Sequence, residues 1–305
     1  MTPIRKILCP VDFSTSSQLA LDYAAGLARR DDASVTALHV LADVVADGYP
    51  YIPESIYPDQ EVRARADAQL TEFVGEHAPS GVSVDAALGE GPVVDSVLDF
   101  ADRLPADFIV MGTNGRQGVA RLLLGSVTER VLRQSSHPVL SISPHAPKPS
   151  SQAAVFRDIL CPVDFSPSSL EALRYALALA GDEGRVTLFH AVELVIDPTV
   201  GDVVGFDIEA VREHHRADSL EKLRAAVPDA ARERTTVEVV VPSSAGAYRE
   251  VLERAKRGPC DLIVMGIMGR SSADMLFFGS TTNHVVREAD CPVLSVRARQ
   301  DAASL

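Results

Sequence analysis

Residues 107–116 read DFIVMGTNGR, and residues 261–270 read DLIVMGIMGR. In both stretches a short apolar run ends at a glycine, and a second glycine follows three positions later. A short, wholly apolar run closed by glycine is typical of a buried strand that leads into a tight turn. The two stretches therefore predict the same strand and glycine loop twice in one chain.

Each glycine pair is followed, after nine residues, by a Gly-Ser dipeptide, Gly125-Ser126 and Gly279-Ser280. If Gly-Ser opens a helix, the free backbone N–H groups and the positive end of the helix dipole form an anion site, to which the hydroxyls of Ser126 and Thr128 add donors. The alternative is that the glycines only form turns. The repeated placement between strand and helix favours an anion site, although one duplication would have copied both loops together.

The chain of 305 residues is a duplication, because ILCPVDFS occurs at 7–14 and again at 159–166. The closing segments Pro138–Ser141 and Pro292–Ser295 read PVLS in both copies. Two copies of one domain are expected, at 1–144 and 155–299. The intervening 145–154, in a stretch rich in Pro and Ser, is predicted to be a semi-rigid, extended linker.

Apolar runs alternate with helical patterns in each copy, which predicts an α/β fold with a parallel sheet covered on both faces. Ser14 is expected to cap the first helix. The strands expected in the first copy are 4–11, 34–41, 82–88, 108–111 and 139–143, and the later helices 59–77, 93–104 and 126–133.

Composition excludes several classes of protein. The 29 basic and 42 acidic residues give a net charge of −13, spread over both halves, and nothing forms the basic cluster that nucleic acid or anionic lipid requires. No apolar run approaches the ~20 residues of a membrane span. The four cysteines have neither disulfide-framework nor zinc spacing, which favours a reducing cytoplasm.

Two common nucleotide motifs are absent. Neither glycine loop has the lysine of a P-loop, and the first strand runs into Asp12-Phe13-Ser14 without the glycines of a dinucleotide-binding turn. Ser14, Ser126 and His39 do not suggest a catalytic triad, because no nucleophile-elbow motif accompanies them.

The repeated motifs nevertheless match one family. V-D-F-S after the first strand, L-H-V at the second, V-M-G before the loop, G-x-x-G-x9-G-[ST] and the closing P-V-L strand resemble the universal stress protein family in its tandem, two-domain form. The glycine signature resembles that of the ATP-binding branch. The resemblance implies two open five-stranded parallel sheets of order 3-2-1-4-5, a Rossmann-like topology of the adenine nucleotide alpha hydrolase type. Ligands of such sheets bind where the strand order reverses.

The resemblance also implies roles for residues of the first copy. Asp12 would contact the ribose region, the backbone of Val40 would pair with adenine, and the glycine loop would hold ribose and phosphates. Mg or Mn would bridge the phosphates of the nucleotide without protein ligands. The first-copy residues expected to bind ATP, or ADP or AMP, are Pro10, Val11, Asp12, Val40, Met111, Gly112, Gly115, Arg116, Gly125, Ser126, Val127 and Thr128.

The second copy departs from the first at Ala191, which replaces Val40, at Met268, which replaces Asn114, and at Thr281, which replaces Val127. Gly89 corresponds to Ser243. The second copy is therefore expected to form a poorer nucleotide-binding site than the first. Its predicted residues are Pro162, Val163, Asp164, Ala191, Met265, Gly266, Gly269, Arg270, Gly279, Ser280, Thr281 and Thr282.

Other residues have structural alternatives. Asp12 and Asp164 could help to start the next helix as well as contact a ligand. His39 and His190 lie inside apolar strands, which favours core histidines over general bases, and His214-His215 in a charged helix favours solvated side chains. The loop that contains Tyr49, Tyr51 and Tyr57 could cover a nucleotide or pack against the other half.

The leading hypothesis is a cytoplasmic stress-response module that binds ATP and acts as a regulator. No positioned base is evident, so any hydrolysis is expected to be slow. The alternatives are a slow ATP hydrolase or phosphotransferase, and an interaction scaffold with empty sites. The closing strands are sheet edges, which need partners; in the family such edges pair, so the two halves are expected to pair with each other, and a further homodimer is possible.

Overall fold

The computed structural model describes residues 4–42, 60–78, 81–115, 124–149, 156–191, 208–240, 246–268 and 279–298. The chain forms two compact units, one built mainly on Thr2–Val155 and the other on Phe156–Ala289. Each unit alternates strands and helices in the same order. The two units are described separately.

The first unit contains five strands and four helices in its described residues. The strands are β1 (Lys6–Pro10), β2 (Ser34–Leu41), β3 (Val84–Glu90), β4 (Phe108–Gly112) and β5 (Val139–Ile142). The helices are α1 (Thr15–Asp31), α2 (Gln60–His77), α3 (Val93–Arg103) and α4 (Ser126–Gln134). Every element expected from the apolar pattern is present, with ends displaced by at most two residues.

The second unit repeats this order and adds a short 3₁₀ helix, Asp229–Arg234, before its third strand. Its strands are β6 (Asp158–Pro162), β7 (Arg185–Ala191), β8 (Thr235–Val240), β9 (Leu262–Gly266) and β10 (Val293–Val296). Its helices are α5 (Pro167–Ala180), α6 (Ile208–Ala226), α7 (Ala247–Arg257) and α8 (Ser280–Glu288).

The strand order confirms the predicted fold class. Within the first unit the order is β3-β2-β1-β4-β5, and within the second it is β8-β7-β6-β9-β10. The pairs β1–β2, β1–β4 and β4–β5 are parallel, as are β6–β7 and β6–β9. The order reverses between β1 and β4 and between β6 and β9, so a crevice opens at the carboxyl end of each pair.

Burial explains why the central strands are so apolar. Ile7, Leu8 and Cys9 of β1 are fully buried, because helices cover both faces of the sheet. Cys161 is the equivalent residue of β6 and is also fully buried. Burial raises the pKa of both thiols far above the usual value, since the apolar surroundings disfavour the thiolate. None of the four cysteines, all of which the structure describes, forms a disulfide, and Cys9 and Cys161 behave as small core residues.

An aspartate joins the two central strands at their amino ends. Asp107 Oδ2 accepts hydrogen bonds from the backbone N–H groups of Arg5 (2.7 Å) and Lys6 (2.9 Å). Asp261 makes the same pair of contacts with Arg157 and Asp158. The aspartate that begins each DFIVMG-type stretch therefore helps to align β4 with β1 and β9 with β6.

The described part of the linker, 145–149, begins in a turn, whereas the composition predicted an extended segment. It turns after β5, where the N–H of Ala146 donates to Ser143 O. The hydroxyl of Tyr23, on α1, then donates to Pro147 O at 2.6 Å. The linker therefore starts as a turn anchored on the first unit.

Among the described residues, no helix is long and apolar enough to cross a membrane.

Candidate functional site

A pocket of about 560 Å³ lies in the first unit at the carboxyl ends of β1, β2 and β4. One wall is apolar and includes Leu38, Val40, Val93 and Val97. The rest of the lining includes Asp12, the glycine loop and the first turn of α4. The pocket thus combines an apolar and a polar lining at the reversal point of a parallel sheet.

The pocket brings together all of the predicted first-copy residues except Arg116, which lies outside the described residues. Seven more residues line the pocket but were not predicted to bind a nucleotide, namely Ser17, Leu38, His39, Val93, Val97, Asn114 and Leu124. Val93 and Val97 stand four residues apart on α3, so helical spacing after the third strand offered a signal for them. No local sequence pattern indicated that Leu124 would line the pocket, because it lies between the glycine loop and α4.

A strained turn after β1 holds Asp12 in the pocket. Asp12 Oδ1 accepts hydrogen bonds from the Ser14 backbone N–H (3.1 Å) and the Ser14 hydroxyl (2.5 Å). Phe13 between them has φ 64°, in the left-handed region that a bulky residue rarely adopts. Asp12 therefore shapes the helix entry, one of the two roles considered from the sequence, and it also lines the pocket.

Ser14 caps α1, as expected, because its side chain accepts from the N–H of Ser17 at 3.2 Å. Replacing the cap by alanine leaves that N–H without its partner and removes the contact to Asp12. We expect Ser14→Ala to lower the free energy of unfolding of the first unit by about 1 kcal/mol, measured by urea denaturation. Thr15→Ala, at an exposed neighbouring position, is the control and should change it by less than about 0.5 kcal/mol. Equal effects of the two variants would contradict the capping role.

The glycines of the loop act for different reasons. A Cβ on Gly112 would lie 2.8 Å from Ser16 Cβ and 3.0 Å from Ser16 O, so this glycine lets α1 pack against the end of β4. A Cβ on Gly115 would have one atom within 4 Å, Asp12 Oδ2 at 3.1 Å. This glycine therefore leaves space in the pocket beside Asp12. The N–H of Gly125 donates to Thr113 O at 2.7 Å, which closes the loop.

The first turn of α4 faces the pocket. Its N-cap residue is Gly125, which has no side chain to accept from the N–H groups of the first turn. Ser126 and Val127, in that turn, line the pocket. The Thr128 hydroxyl instead donates to Gly112 O at 2.8 Å. Thr128 thus connects α4 to the end of β4. The N–H groups of the first turn form the positive end of the helix dipole.

The second unit repeats the frame of this site with different details. Thr282 donates to Gly266 O at 2.9 Å, and a Cβ on Gly266 would lie 2.7 Å from Ser169 N. Asp164 Oδ1 accepts from the Ser166 N–H, but the Ser166 hydroxyl donates to Met268 O at 3.2 Å. Gly269 and Arg270 lie outside the described residues.

The remaining second-copy predictions fall on the same elements as their counterparts. Pro162 ends β6, Val163 follows it, and Ala191 ends β7. Met265 and Gly266 end β9. Gly279 is the N-cap of α8, and Ser280, Thr281 and Thr282 form its first turn.

The two strand histidines differ in burial. His190 is buried, in line with a core histidine, but His39 is half-buried and lines the pocket. In both, the ring Nδ1 donates to a backbone carbonyl, His39 to Val11 O (2.8 Å) and His190 to Val163 O (2.6 Å). His214 and His215 are exposed on α6, as predicted. The tyrosine loop and Ser243 lie outside the described residues.

Comparison with known proteins agrees with the repeated motifs. The model of the universal stress protein family matches residues 3–143 and again 156–297. A universal stress protein of Mycolicibacterium smegmatis is 31% identical over 305 residues, covering 96% of this chain and 97% of that protein. A universal stress protein of Mycobacterium tuberculosis is 30% identical over 304 residues, covering 95% and 96% of the two chains.

A solved structure shows the same fold. The crystal structure of a universal stress protein from Archaeoglobus fulgidus has a TM-score of 0.68 and 22% identity, and the match covers 96% of this chain and 98% of that one. The double match to the family model spans nearly the whole chain. The chain therefore belongs to the universal stress protein family, in the form that carries two copies of the family domain.

Proposed function

We propose that this protein binds an adenine nucleotide, ATP with Mg or Mn, in the pocket of the first unit, and acts as a nucleotide-dependent regulator. One observation supports the proposal: a 560 Å³ pocket brings together an apolar wall, Asp12 and the first turn of α4, which has no side-chain cap. These surroundings suit the base, the ribose and the phosphates of one nucleotide.

The apolar wall suits the base. Leu38 and Val40 from β2 and Val93 and Val97 from α3 form this wall, so a flat aromatic ring would pack against apolar side chains. Val40 lies near the end of β2, where its backbone groups offer hydrogen bonds to the edge of the ring. Asp12 is an acceptor suited to the hydroxyl groups of a ribose.

The phosphates would bind without a cluster of basic side chains. The backbone N–H groups of Ser126 and Val127 and the helix dipole supply positive potential, and Gly115 leaves room for the chain to approach the backbone. Asp12 brings a negative charge to the same pocket. A divalent ion on the phosphates would offset the repulsion between that carboxylate and the phosphate charges, which supports Mg or Mn carried by the nucleotide.

The arrangement suits regulation more than fast turnover. Asp12 Oδ1 accepts two hydrogen bonds from Ser14, and His39 Nδ1 donates to Val11 O, so both groups hold the turn after β1. A general base needs an acceptor aimed at the attacking water. We therefore expect hydrolysis slower than about one turnover per second, the lower end of typical enzyme rates.

Calorimetric titration with ATP, ADP and AMP, with and without Mg, tests the proposal. At a free nucleotide concentration of about 100 times the dissociation constant, the first unit should gain about 2.7 kcal/mol of stability, visible as a rise in melting temperature. GTP is the control for the base. Absence of heat, of a melting shift and of nucleotide released from the purified protein would leave an interaction scaffold as the better description. Many turnovers per second would favour an enzyme.

We propose a second, weaker site in the second unit. Ala191 and Met268 replace Val40 and Asn114, and the Ser166 hydroxyl donates to Met268 O where Ser14 donates to Asp12. With Ala191 the base would lose packing contacts, and with Met268 the loop would lose a polar side chain. A calorimetric stoichiometry near two, with unequal affinities, is the expected outcome.

A further inference from the structure

We propose that occupancy of the first pocket is transmitted to α2 through four rings, His39, Phe13, Phe73 and His77, which we call the aromatic column. The proposal rests on the proposed function and goes beyond it, because it names the helix through which a bound nucleotide would regulate the protein.

The four rings form a continuous path. The Phe13 and His39 ring centroids are 4.4 Å apart, and Phe13 and Phe73 are 5.5 Å apart with their planes at 72°. Phe73 and His77 are 4.7 Å apart at 74°. The Phe13–Phe73 and Phe73–His77 pairs have the distances and edge-to-face angles of favourable aromatic contacts, whereas the planes of Phe13 and His39 are tilted at 37°. Each ring therefore constrains the position of the next.

The column begins at the pocket. His39 lines the pocket, and so does Asp12, the neighbour of Phe13 in the chain. His39 also holds Val11 O at 2.8 Å, and Val11 is itself a lining residue. A ligand that contacts Asp12 and His39 would therefore act on Phe13 from both its backbone and its ring.

Phe13 is the residue at which the column can change state. Its φ of 64° lies in the left-handed region, where the Cβ of a phenylalanine is crowded by its own backbone. Such a conformation persists only when surrounding contacts impose it. The contacts around Phe13 are the rings of His39 and Phe73 and the turn in which Asp12 accepts from Ser14. A change in those contacts on ligand binding would shift Phe13, and Phe73 with it.

The far end of the column lies on α2. Of the 18 residues of α2 only Ala66, Leu70 and Phe73 are buried, so Phe73 is a large part of what attaches the helix. His77 Nδ1 accepts from the Gln18 side-chain amide at 3.1 Å, which links the end of α2 to α1. A helix held by few buried side chains opens easily, and a shift of Phe73 is therefore felt along α2.

The second unit supplies an internal control. Phe165 has φ 65° and lies 4.8 Å from His190, so the first two rings are repeated. The helix α6, which corresponds to α2, contains no Phe, Tyr or Trp. Its two histidines, His214 and His215, are exposed. Among the residues that the structure describes, the path of rings from pocket to helix is therefore present in the first unit and is not repeated on α6.

Hydrogen–deuterium exchange on the full chain, with and without ATP and Mg, measures the transmission. In the unmodified protein we expect exchange in α2 to slow by roughly fivefold or more on binding, with no comparable change in α6. Phe73→Leu keeps an apolar side chain but interrupts the rings, and should abolish the response of α2 while the loop after β4 remains protected. Phe100→Leu, a similar change on α3 outside the column, should leave the response intact.

The outcomes separate this proposal from the proposed function. Nucleotide binding by calorimetry without any response of α2, or an unchanged response in Phe73→Leu, overturns the transmission alone. No binding by calorimetry overturns both. Because the chain contains no tryptophan, Phe73→Trp provides a second readout should the leucine variant fail to fold. Its emission should change during an ATP titration with the calorimetric dissociation constant, and emission that stays constant while ATP binds overturns the proposal.

Discussion

Replacing Gly115 with leucine is expected to remove nucleotide binding from the first unit while leaving its fold intact. The residue is exposed, and a Cβ there would meet Asp12 Oδ2 at 3.1 Å. A leucine would fill the approach to the backbone of α4 and displace the Asp12 carboxylate. The stabilisation of about 2.7 kcal/mol expected at 100 times the dissociation constant should be lost, and the calorimetric stoichiometry should fall by one.

Gly75→Leu is the matched control, because a Cβ at this exposed position on α2 has no atom within 4 Å. It should bind nucleotide as the unmodified protein does. Gly115→Ala should have an intermediate effect, since its methyl group fills only part of the space. If Gly115→Leu retained full stoichiometry and affinity, the glycine loop would not be the phosphate site.

Gly112→Ala is expected to destabilise the first unit by about 1–3 kcal/mol, the range found when extra atoms are forced into a packed core. The new Cβ would lie 2.8 Å from Ser16 Cβ and 3.0 Å from the Ser16 backbone. Backbone atoms at the start of α1 cannot move aside without disturbing the cap at Ser14. The free energy of unfolding from urea denaturation measures the loss.

Two further glycine substitutions serve as comparisons for Gly112→Ala. Gly266→Ala should destabilise the second unit similarly, because its Cβ would lie 2.7 Å from Ser169 N. Gly75→Ala, at an exposed position in the last turn of α2, should instead stabilise the first unit, by at most about 1 kcal/mol, through helix propensity. Equal stabilities for Gly112→Ala and the unmodified protein would show that α1 adapts, and the close approach would then not require glycine.

Glycine spacing is therefore one pattern with two causes. Gly112 is needed for packing between α1 and β4, whereas Gly115 leaves space in the pocket. The sequence offered the same reason for both, a turn that exposes backbone N–H groups. Thr128 shows the same ambiguity: its hydroxyl was expected to serve an anion, and it donates instead to Gly112 O.

The sequence alone determined the architecture, because its signals are local and repeated. Apolar runs of four to eight residues that are bounded by turn residues are typical of covered strands, and Ser14 is followed by residues that form a helix. The two copies of ILCPVDFS and of the glycine loop established the duplication and the family. The predicted first-copy site residues that the structure describes all line one pocket, since strands 1 and 4 end side by side in this topology.

Tertiary structure decided what depends on residues far apart in the chain. Gly112 meets Ser16, Phe13 meets Phe73, and Val93 and Val97 complete a pocket begun by β1. His39 was expected in the core and lies half-buried at the pocket, because the sheet ends there and the helices no longer cover it fully. Periodicity reports which face of an element is apolar; it carries no information on which distant residue packs against that face, and the pocket and the aromatic column are both made of such contacts.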